Sequence, residues 1–282
     1  MRFSLVLATV DRVEELKRFL ASLRSQSYKD CELIVVDQNG DERLAPLLAD
    51  FEPALKVLHL RSTQRGLSRA RNLGLRHVTG DVVAFPDDDC WYPPDCLRAV
   101  ADFLLANPFV DGITGRSVDE AGRTTQGRFA CDRSRVDRMA VWAQGISYTI
   151  FLRGEVVRRI GEFDESLGVG SGTEFGSGEE TDYLIRAVEA GAALEYLPEH
   201  VVHHPETGLL FDEKSRHKGF LYGCGMGRVL RKHRYPLWYR GRAVLRPIGG
   251  ACLAAAKGRI AESQFYLARA LGRIKGLTAA IG

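Results

Sequence analysis

Short apolar runs alternate with amphipathic stretches along the first hundred residues. The stretch Val13–Leu23 places Val13, Leu16, Leu20 and Leu23 on one helical face, which predicts a helix. The alternation predicts strands at Phe3–Ala8, Leu33–Val36, Leu55–Leu60 and Val82–Phe85, and further helices at Leu44–Phe51 and Leu67–His77. Strands that alternate with helices through short connections are typical of βαβ units. The pattern therefore predicts an α/β domain whose sheet is mainly parallel.

Polar and acidic residues collect directly after the predicted strands. Thr9 and Asp11 follow the first strand, Asp37 ends the second, and an acidic triplet follows Val82–Phe85. In open α/β sheets, ligands bind beyond the carboxyl ends of the strands. We therefore expect these side chains to line a binding edge.

The acidic triplet is Asp87, Asp88 and Asp89. In extended chain, residues two apart face the same side, so Asp87 and Asp89 should converge. Adjacent carboxylates repel one another unless a cation or hydrogen-bond donors stabilise them. Hard divalent ions such as Mg²⁺ and Mn²⁺ favour one or two carboxylates together with phosphate oxygens. The alternative is a solvated turn that caps a helix starting near Pro93.

A second acidic group, Glu179, Glu180 and Asp182, opens a predicted helix over Glu179–Glu189. A carboxylate at a helix start stays ionised, as a general base must. Ser177 and Glu180 also have the spacing of a capping box, and Asp182 and Arg186 that of a surface ion pair. Spacing alone favours these structural roles over catalysis.

Weaker candidates lie elsewhere. Arg71, near the start of the predicted helix Leu67–His77, could meet a diphosphate. Three histidines, His200, His203 and His204, could supply a metal ligand, although a single histidine more often packs or lies at the surface.

Composition adds a division by charge. The net charge is +3, but residues from Lys214 onward hold 15 Lys and Arg against one acid, and the first 213 hold 24 bases against 35 acids. This predicts an acidic body (1–213) and a basic helical tail (214–282), Gly-rich at first and ending in two helical segments. No apolar stretch is long enough to span a bilayer, no signal peptide is evident, and the six cysteines form no CxxC pair. A cytoplasmic protein is therefore expected.

Ordered motifs from Phe3 to about His204 resemble the family 2 glycosyltransferases with a GT-A fold. They are Ala8–Asp11, Glu32–Asp37, Gly66–Asn72, Phe85–Trp91, Gly161–Glu165 and Gly178–Asp182. The resemblance implies a Rossmann-like GT-A domain with a mostly parallel mixed sheet, followed by the basic helical extension. It also implies a metal-dependent enzyme that transfers a sugar, with inversion, from a nucleotide-diphosphate donor to an acceptor hydroxyl.

The resemblance also assigns residues. Thr9 and Asp37 would contact the nucleotide base, Arg71 would help hold the donor, and Asp11 and Asp88 belong to the same donor-binding set. Asp87 and Asp89 form the DxD motif, and Asp89 would bind Mn²⁺ or Mg²⁺, with Asp87 and His203 as further candidate ligands. Glu180 would be the general base; because many members carry Asp there, Glu179 and Asp182 are the alternatives.

The expected partners are a UDP-, GDP- or dTDP-linked sugar and a saccharide or lipid-linked acceptor, as in bacterial polysaccharide assembly. The basic tail also holds Trp238 and several tyrosines, a mixture suited to the inner face of the cell membrane. The alternative is a tail that packs on the acidic body. A nucleic-acid partner is not expected, because no recognised motif is present. An inactive, transferase-like binding protein is the rival function.

Overall fold

A computed structural model describes residues 1–52, 54–127, 129–206, 208 and 210–280. Its strands are β1 (Phe3–Thr9), β2 (Cys31–Asp37), β3 (Lys56–Arg61), β4 (Val82–Ala84), β5 (Gly112–Val118), β6 (Ser134–Arg135), β7 (Phe151–Arg153) and β8 (Leu194–His203). Its helices are α1 (Glu14–Arg24), α2 (Ala45–Phe51), α3 (Leu67–Leu75), α4 (Cys96–Ala106), α5 (Val141–Gln144), α6 (Gly154–Ile160), α7 (Glu179–Glu189), α8 (Glu213–Lys232), α9 (Leu237–Ala256) and α10 (Ile260–Thr278). Every strand and helix predicted in the first hundred residues is present, with ends shifted by a few residues.

The strands form one mixed sheet in the order β3-β2-β1-β4-β7-β5-β8-β6. Strands β1 to β4 pair in parallel, as does β5 with β8. Strand β7 runs antiparallel to β4 and β5, and β6 runs antiparallel to β8. The predicted α/β architecture with a mostly parallel mixed sheet is confirmed.

Pairing register brings the polar ends of the strands together. Thr9 lies opposite Asp37 at the ends of β1 and β2. An isolated parallel bridge joins Ala8 to Asp87, which extends the β1–β4 pairing beyond the last residue of β4. The acidic triplet therefore lies at the carboxyl edge of the sheet, where a ligand is expected.

The chain divides into two compact units. The first holds residues 1–65, 69–163 and 183–206, and with them the whole sheet. The second holds residues 66–68, 164–182 and the described residues after 206. The predicted boundary at residue 213 thus falls close to the start of the last segment of the second unit, which also includes two earlier segments.

In the second unit, the Gly-rich start of the tail is helical as well. Helix α8 runs unbroken from Glu213 to Lys232 despite four glycines, and packs most extensively on α10. A Cβ on Gly223 or Gly272 would collide with backbone atoms of the facing helix. The prediction of only two helical segments was incomplete, since glycines that weaken an isolated helix here allow two backbones to touch.

At the amino-terminal ends of the strands, one buried carboxylate connects several elements. Glu32 accepts hydrogen bonds from Ser4 Oγ at 2.6 Å, from Thr79 N at 2.9 Å and from Arg2 Nη2 at 2.8 Å. Lys56 Nζ lies 3.3 Å away. Burial acts to raise the pKa of Glu32, but these donors outweigh it and hold the pKa at about 2. The carboxylate therefore joins strands β1, β2 and β3 to the turn before β4.

Replacing Glu32 with Gln should lower the free energy of unfolding at pH 7 by about 1–3 kcal/mol, because buried donors lose a charged acceptor. Since the folded-state pKa lies below the ordinary 4.5, this stability is present above pH 4.5 and is lost as the pH falls towards 2. Urea unfolding at pH 7 and pH 3 measures the effect, with Glu15→Gln on the exposed face of α1 as control. An equal difference from wild type at both pH values would contradict the assignment.

Candidate active site

Asp87 is held by a buried arginine. Arg71, which is 1% exposed, donates from Nη2 to Asp87 Oδ1 at 3.0 Å, and Ser147 Oγ lies 3.2 Å from the same oxygen. Burial raises the pKa of Asp87, while the charge of Arg71 opposes that shift. The guanidinium also lies 5.5 Å from the Phe163 ring centre. Arg71 thus orients the first carboxylate of the triplet.

Asp88 joins the triplet to the end of β1. Its Oδ2 accepts from Thr9 Oγ1 at 2.7 Å, and its Oδ1 accepts from Arg12 Nη1 at 2.7 Å. Burial raises the pKa of Asp88 to about 6, and Arg12 and Thr9 act against that rise. The hydroxyl of Thr9 is therefore used to hold Asp88, at the edge where the nucleotide is expected.

Asp89 has two basic neighbours. The guanidinium of Arg12 contacts Oδ2, and His204 Nε2 lies 3.2 Å from Oδ1. Burial would raise the pKa of Asp89, but His204 and Arg12 together lower it below its ordinary value. Arg12 is thus the internal counter-ion of both Asp88 and Asp89.

The ring of His204 is fixed from two sides. Its Nδ1 lies 2.8 Å from the carbonyl oxygen of Pro205, and its ring stacks on Tyr148 with centres 5.1 Å apart. A carbonyl oxygen can only accept, so Nδ1 carries a hydrogen and a neutral ring presents the Nε2 lone pair to Asp89. Burial lowers the pKa of His204, but Asp89 outweighs it and raises the pKa. Either a proton or a metal ion must separate these two acceptors.

Asp89 and His204 fit a divalent cation. Ligands about 2.1 Å from an octahedral ion lie roughly 3.0 Å from their neighbours, close to the observed 3.2 Å. A metal-binding histidine commonly donates its other nitrogen to a carbonyl, as His204 does. Among the described residues, no group of three or more His, Cys, Asp or Glu side chains is arranged to hold a metal. Two protein ligands suffice where phosphates and water complete the shell.

The structure brings His204, rather than the sequence candidate His203, to Asp89. His203 Nδ1 lies 3.1 Å from the carbonyl oxygen of Asp119, and its ring stacks on Trp91 with centres 5.2 Å apart. His200 is buried, and burial lowers its pKa to about 4. Of the three histidines, only His204 contacts the acidic triplet.

Asp37 is fully buried at the end of β2. Its Oδ1 accepts from Asn39 N and Nδ2 at 2.8 and 2.7 Å, and His59 Nε2 lies 3.0 Å from Oδ2. Asn39 in turn accepts from the backbone N–H of Asp11 through Oδ1 at 2.8 Å. The carboxylate thus braces the turns that follow β1 and β2.

Asp11 has an exposed carboxylate beside two arginines. Its backbone adopts a positive φ of 59°, and Arg43 and Arg65 lie 3.5 and 3.6 Å from its oxygens. A positive φ is uncommon for a residue with a side chain. Sequence reasoning singled out neither of these arginines nor Arg12, because isolated arginines carry no spacing signal.

The second unit separates the three candidate bases by burial. Asp182 is fully buried, and its Oδ1 contacts His233 Nε2 and Lys232 Nζ, each at 2.8 Å. Glu179 is also buried, against Gly168, where an added Cβ would lie 3.0 Å from Glu179 Oε2. Glu180 is the partly exposed member of the three. Exposure therefore favours Glu180 as the group that can meet a substrate.

Two residues that the sequence placed in structural roles at this helix, Ser177 and Arg186, bind backbone carbonyl groups. Helix α7 begins at Glu179, so Ser177 lies two residues ahead of it, and Ser177 Oγ donates to the carbonyl of Tyr222 at 3.0 Å. The guanidinium of Arg186 donates to the carbonyl oxygens of Ile160 and Glu162 at 2.6 and 2.8 Å.

The chain is similar to known glycosyltransferases in sequence. Residues 4–156 match the family model described as glycosyl transferase family 2. The glucosyl-dolichyl phosphate glucuronosyltransferase of Haloferax volcanii is 32% identical over 123 residues, which are 43% of this chain and 39% of that protein. The match thus spans well under half of this relative.

Two solved structures share the fold over nearly the whole chain. The mannosyltransferase PcManGT from Pyrobaculum calidifontis, in complex with GDP-Man and Mn²⁺, superposes with a TM-score of 0.66 at 16% identity, covering 97% of this chain and 87% of that one. Residues 1–349 of S. aureus TarS, in complex with UDP-GlcNAc, give a TM-score of 0.62 at 14% identity, covering 95% and 90%. At such identity the likeness establishes the fold alone.

Proposed function

The chain belongs to glycosyl transferase family 2 and has the GT-A fold, and from this membership we propose that it transfers a sugar, with inversion, from a nucleoside-diphosphate donor to an acceptor hydroxyl. The observation that carries the proposal is the Asp89–His204 pair at the carboxyl edge of the sheet, which fits a divalent cation. A related fold has been solved with GDP-Man and Mn²⁺ and another with UDP-GlcNAc, which supports a nucleotide-sugar donor.

We assign donor binding to the first unit. Asp89 and His204 would hold Mn²⁺ or Mg²⁺, which when bound neutralises negative charge on the diphosphate leaving group. The remaining residues keep those ligands in place: Arg71 orients Asp87, and Thr9 and Arg12 orient Asp88. Asp11 and Asp37 belong to the turns that would receive the nucleotide. His204 replaces His203 in this proposal because only His204 contacts the triplet.

Glu180 is the proposed general base. It would accept the proton of the acceptor hydroxyl as that oxygen attacks the anomeric carbon and the bond to the diphosphate breaks. Its neighbours suit other tasks: Asp182 is committed to His233 and Lys232, and Glu179 is buried. Direct displacement of this kind inverts the anomeric centre.

For the acceptor, we propose a lipid-linked saccharide at the inner face of the membrane. The Haloferax volcanii relative is a glucosyl-dolichyl phosphate glucuronosyltransferase by name, and the tail of this chain is strongly basic. The six cysteines are free thiols, which suits a cytoplasmic location. Contact of the tail with an anionic membrane would bring the enzyme to such an acceptor.

A thermal-shift panel tests the donor site. UDP-, GDP- and dTDP-sugars are screened with and without Mn²⁺ on the wild type and on Asp89→Ala. One nucleotide family should stabilise the wild type by several degrees in Mn²⁺, since a ligand at 100-fold its Kd contributes about 2.7 kcal/mol. Asp89→Ala should lose the metal-dependent part, whereas Asp50→Ala, on the exposed end of α2, should keep it. Absence of stabilisation by every nucleotide would overturn the donor site and favour an inactive binding protein.

A further inference from the structure

Helices α9 and α10 of the second unit bury an arginine without an acidic partner. Arg273 is 7% exposed, and its Nη1 donates to the carbonyl oxygen of Ala243. That carbonyl lies four residues before Pro247, a proline inside α9, which cannot supply the usual helical N–H. The hydrogen bond to this carbonyl uses one N–H of the guanidinium. The buried Nε of Arg273 has no hydrogen-bond partner among the described residues.

Two more arginines lie around Arg273. Arg269 is one turn earlier on α10, with its guanidinium 5.7 Å from the Phe265 ring centre. Arg246 is on α9, three residues after Ala243, and is exposed. The positive charges of both repel the guanidinium of Arg273, and the charge of Arg246 also repels that of Arg269. The three form a cationic cluster that leads from the surface of α9 to a buried guanidinium.

The cluster contains no compensating acid. In the described ranges, none of its three arginines forms an ion pair, and Glu262, the one acid of the tail, faces Arg259 instead. Burial lowers the pKa of Arg273 to about 10, and repulsion from Arg269 and Arg246 adds to that shift. Grouped charges of one sign are costly to bury unless an ion of the opposite sign joins them. The cluster is therefore built to receive an anion.

The same helices expose apolar side chains. On α10, a stripe at helical spacing is 43–60% exposed: Ile260, Leu267, Leu271 and Ile274. On α9, the exposed members are Leu237, Trp238, Leu245 and Leu253, at 61–82%. Within the described chain, no helix is long and apolar enough to cross a membrane. Exposed leucines and a tryptophan on helices that also carry arginines are typical of helices that lie in a membrane interface.

We infer that Arg246, Arg269 and Arg273 form a binding site for the phosphate group of a membrane lipid, while the apolar faces of α9 and α10 lie against its acyl chains. Guanidinium groups match phosphate oxygens in charge and geometry. The strong positive charge of the tail favours an anionic bilayer over a second, equally positive copy of the chain. This site deepens the proposed function and rests on it, since it would seat the enzyme where a lipid-linked acceptor lies.

Vesicle flotation with the full chain tests the site. Phosphatidylcholine vesicles are doped either with phosphatidic acid or, to equal surface charge, with oleate, which carries a carboxylate. The wild type should bind phosphatidic acid vesicles about tenfold more tightly, as expected for one charge-assisted phosphate contact. Arg246→Gln and Arg269→Gln should each remove that preference. Arg242→Gln, on the same helix and with the same change of charge, should keep it.

Several outcomes would overturn the inference. Equal binding to both kinds of vesicle, or an equal loss in Arg242→Gln, would show general charge attraction only. Displacement from the vesicles by inorganic phosphate would show a site for the free ion. A dimer in sedimentation that Leu271→Glu disrupts, without vesicle binding, would assign the apolar face to a second copy. Donor-dependent thermal shifts, measured in the same variants, report only on the nucleotide site. They should be unchanged in these variants, so failure of the lipid site can be told from failure of the donor site.

Discussion

A Glu180→Gln variant is expected to lose sugar transfer by about 10²- to 10⁴-fold in kcat while keeping its thermal stability. Removal of a general base has an effect of this size, and Gln preserves the shape and polarity of the side chain. Glu180 is partly exposed at the start of α7, so its replacement should cost less stability than removal of a fully buried carboxylate. Release of nucleoside diphosphate from the donor chosen by the thermal-shift panel, with a lipid extract as acceptor, measures the rate.

Two further variants make the experiment specific. Glu180→Asp keeps a carboxylate, the residue that many family members have at this position, and should retain much of the activity. Glu189→Gln, exposed at the other end of α7, should be unaffected. Donor-induced thermal shifts should be equal in all of them. Full activity of Glu180→Gln would exclude this residue as the base.

Asp182→Ala should instead destabilise the protein, by about 3–5 kcal/mol in the free energy of unfolding. The carboxylate is fully buried between Lys232 and His233, and removing one partner of a buried ion pair leaves the other charge uncompensated. Lys232 also contacts Asp164 Oδ2 at 2.7 Å, so part of its charge stays neutralised and the lower end of the range is expected.

Denaturant unfolding at pH 7 checks this prediction, with the exposed Asp50→Ala as reference. Activity in Asp182→Ala should fall only as far as the folded fraction falls. A variant of wild-type stability that is inactive would instead restore Asp182 as a candidate base. The pair of results, for Glu180 and Asp182, separates catalysis from structure on a single helix.

The sequence was sufficient for the first four strands of the sheet and for the acidic triplet. Apolar runs with short connections predicted β1 to β4 and the helices between them, and the carboxyl-edge rule placed Asp87, Asp88 and Asp89. These features depend on periodicity and on local order along the chain, both of which can be read without knowing any distant contact.

The partners of the triplet could not be read in the same way. His203 and His204 are adjacent, and only the phase of β8 decides which one faces Asp89. Counting alternate residues along β8 does not show which histidine faces Asp89, because the β5–β8 register shifts between Thr114 and Arg116. Alternation of side chains along a strand holds only where the pairing is regular.

Asp182 shows a second limit. Its spacing to Arg186 indicated a surface pair, yet its carboxylate is fully buried and contacts Lys232 and His233, which lie about fifty residues later in the chain. They stand at the end of α8, a helix that its four glycines concealed from sequence analysis. Helix propensity is a weak guide where tertiary contact decides the outcome.

The glycines at which α8 packs on α10 make the corresponding part of the gene intolerant of missense mutations. Any single-base change that replaces a glycine yields a residue with a Cβ, and at Gly272 or Gly276 that atom would collide with backbone of α8. Core overpacking of this kind is destabilising, and a backbone neighbour cannot turn aside as a side chain can. The positions least tolerant of substitution are therefore glycines, which carry no side chain that could act in binding or catalysis. The exposed leucines of α9, in contrast, can exchange with other apolar residues.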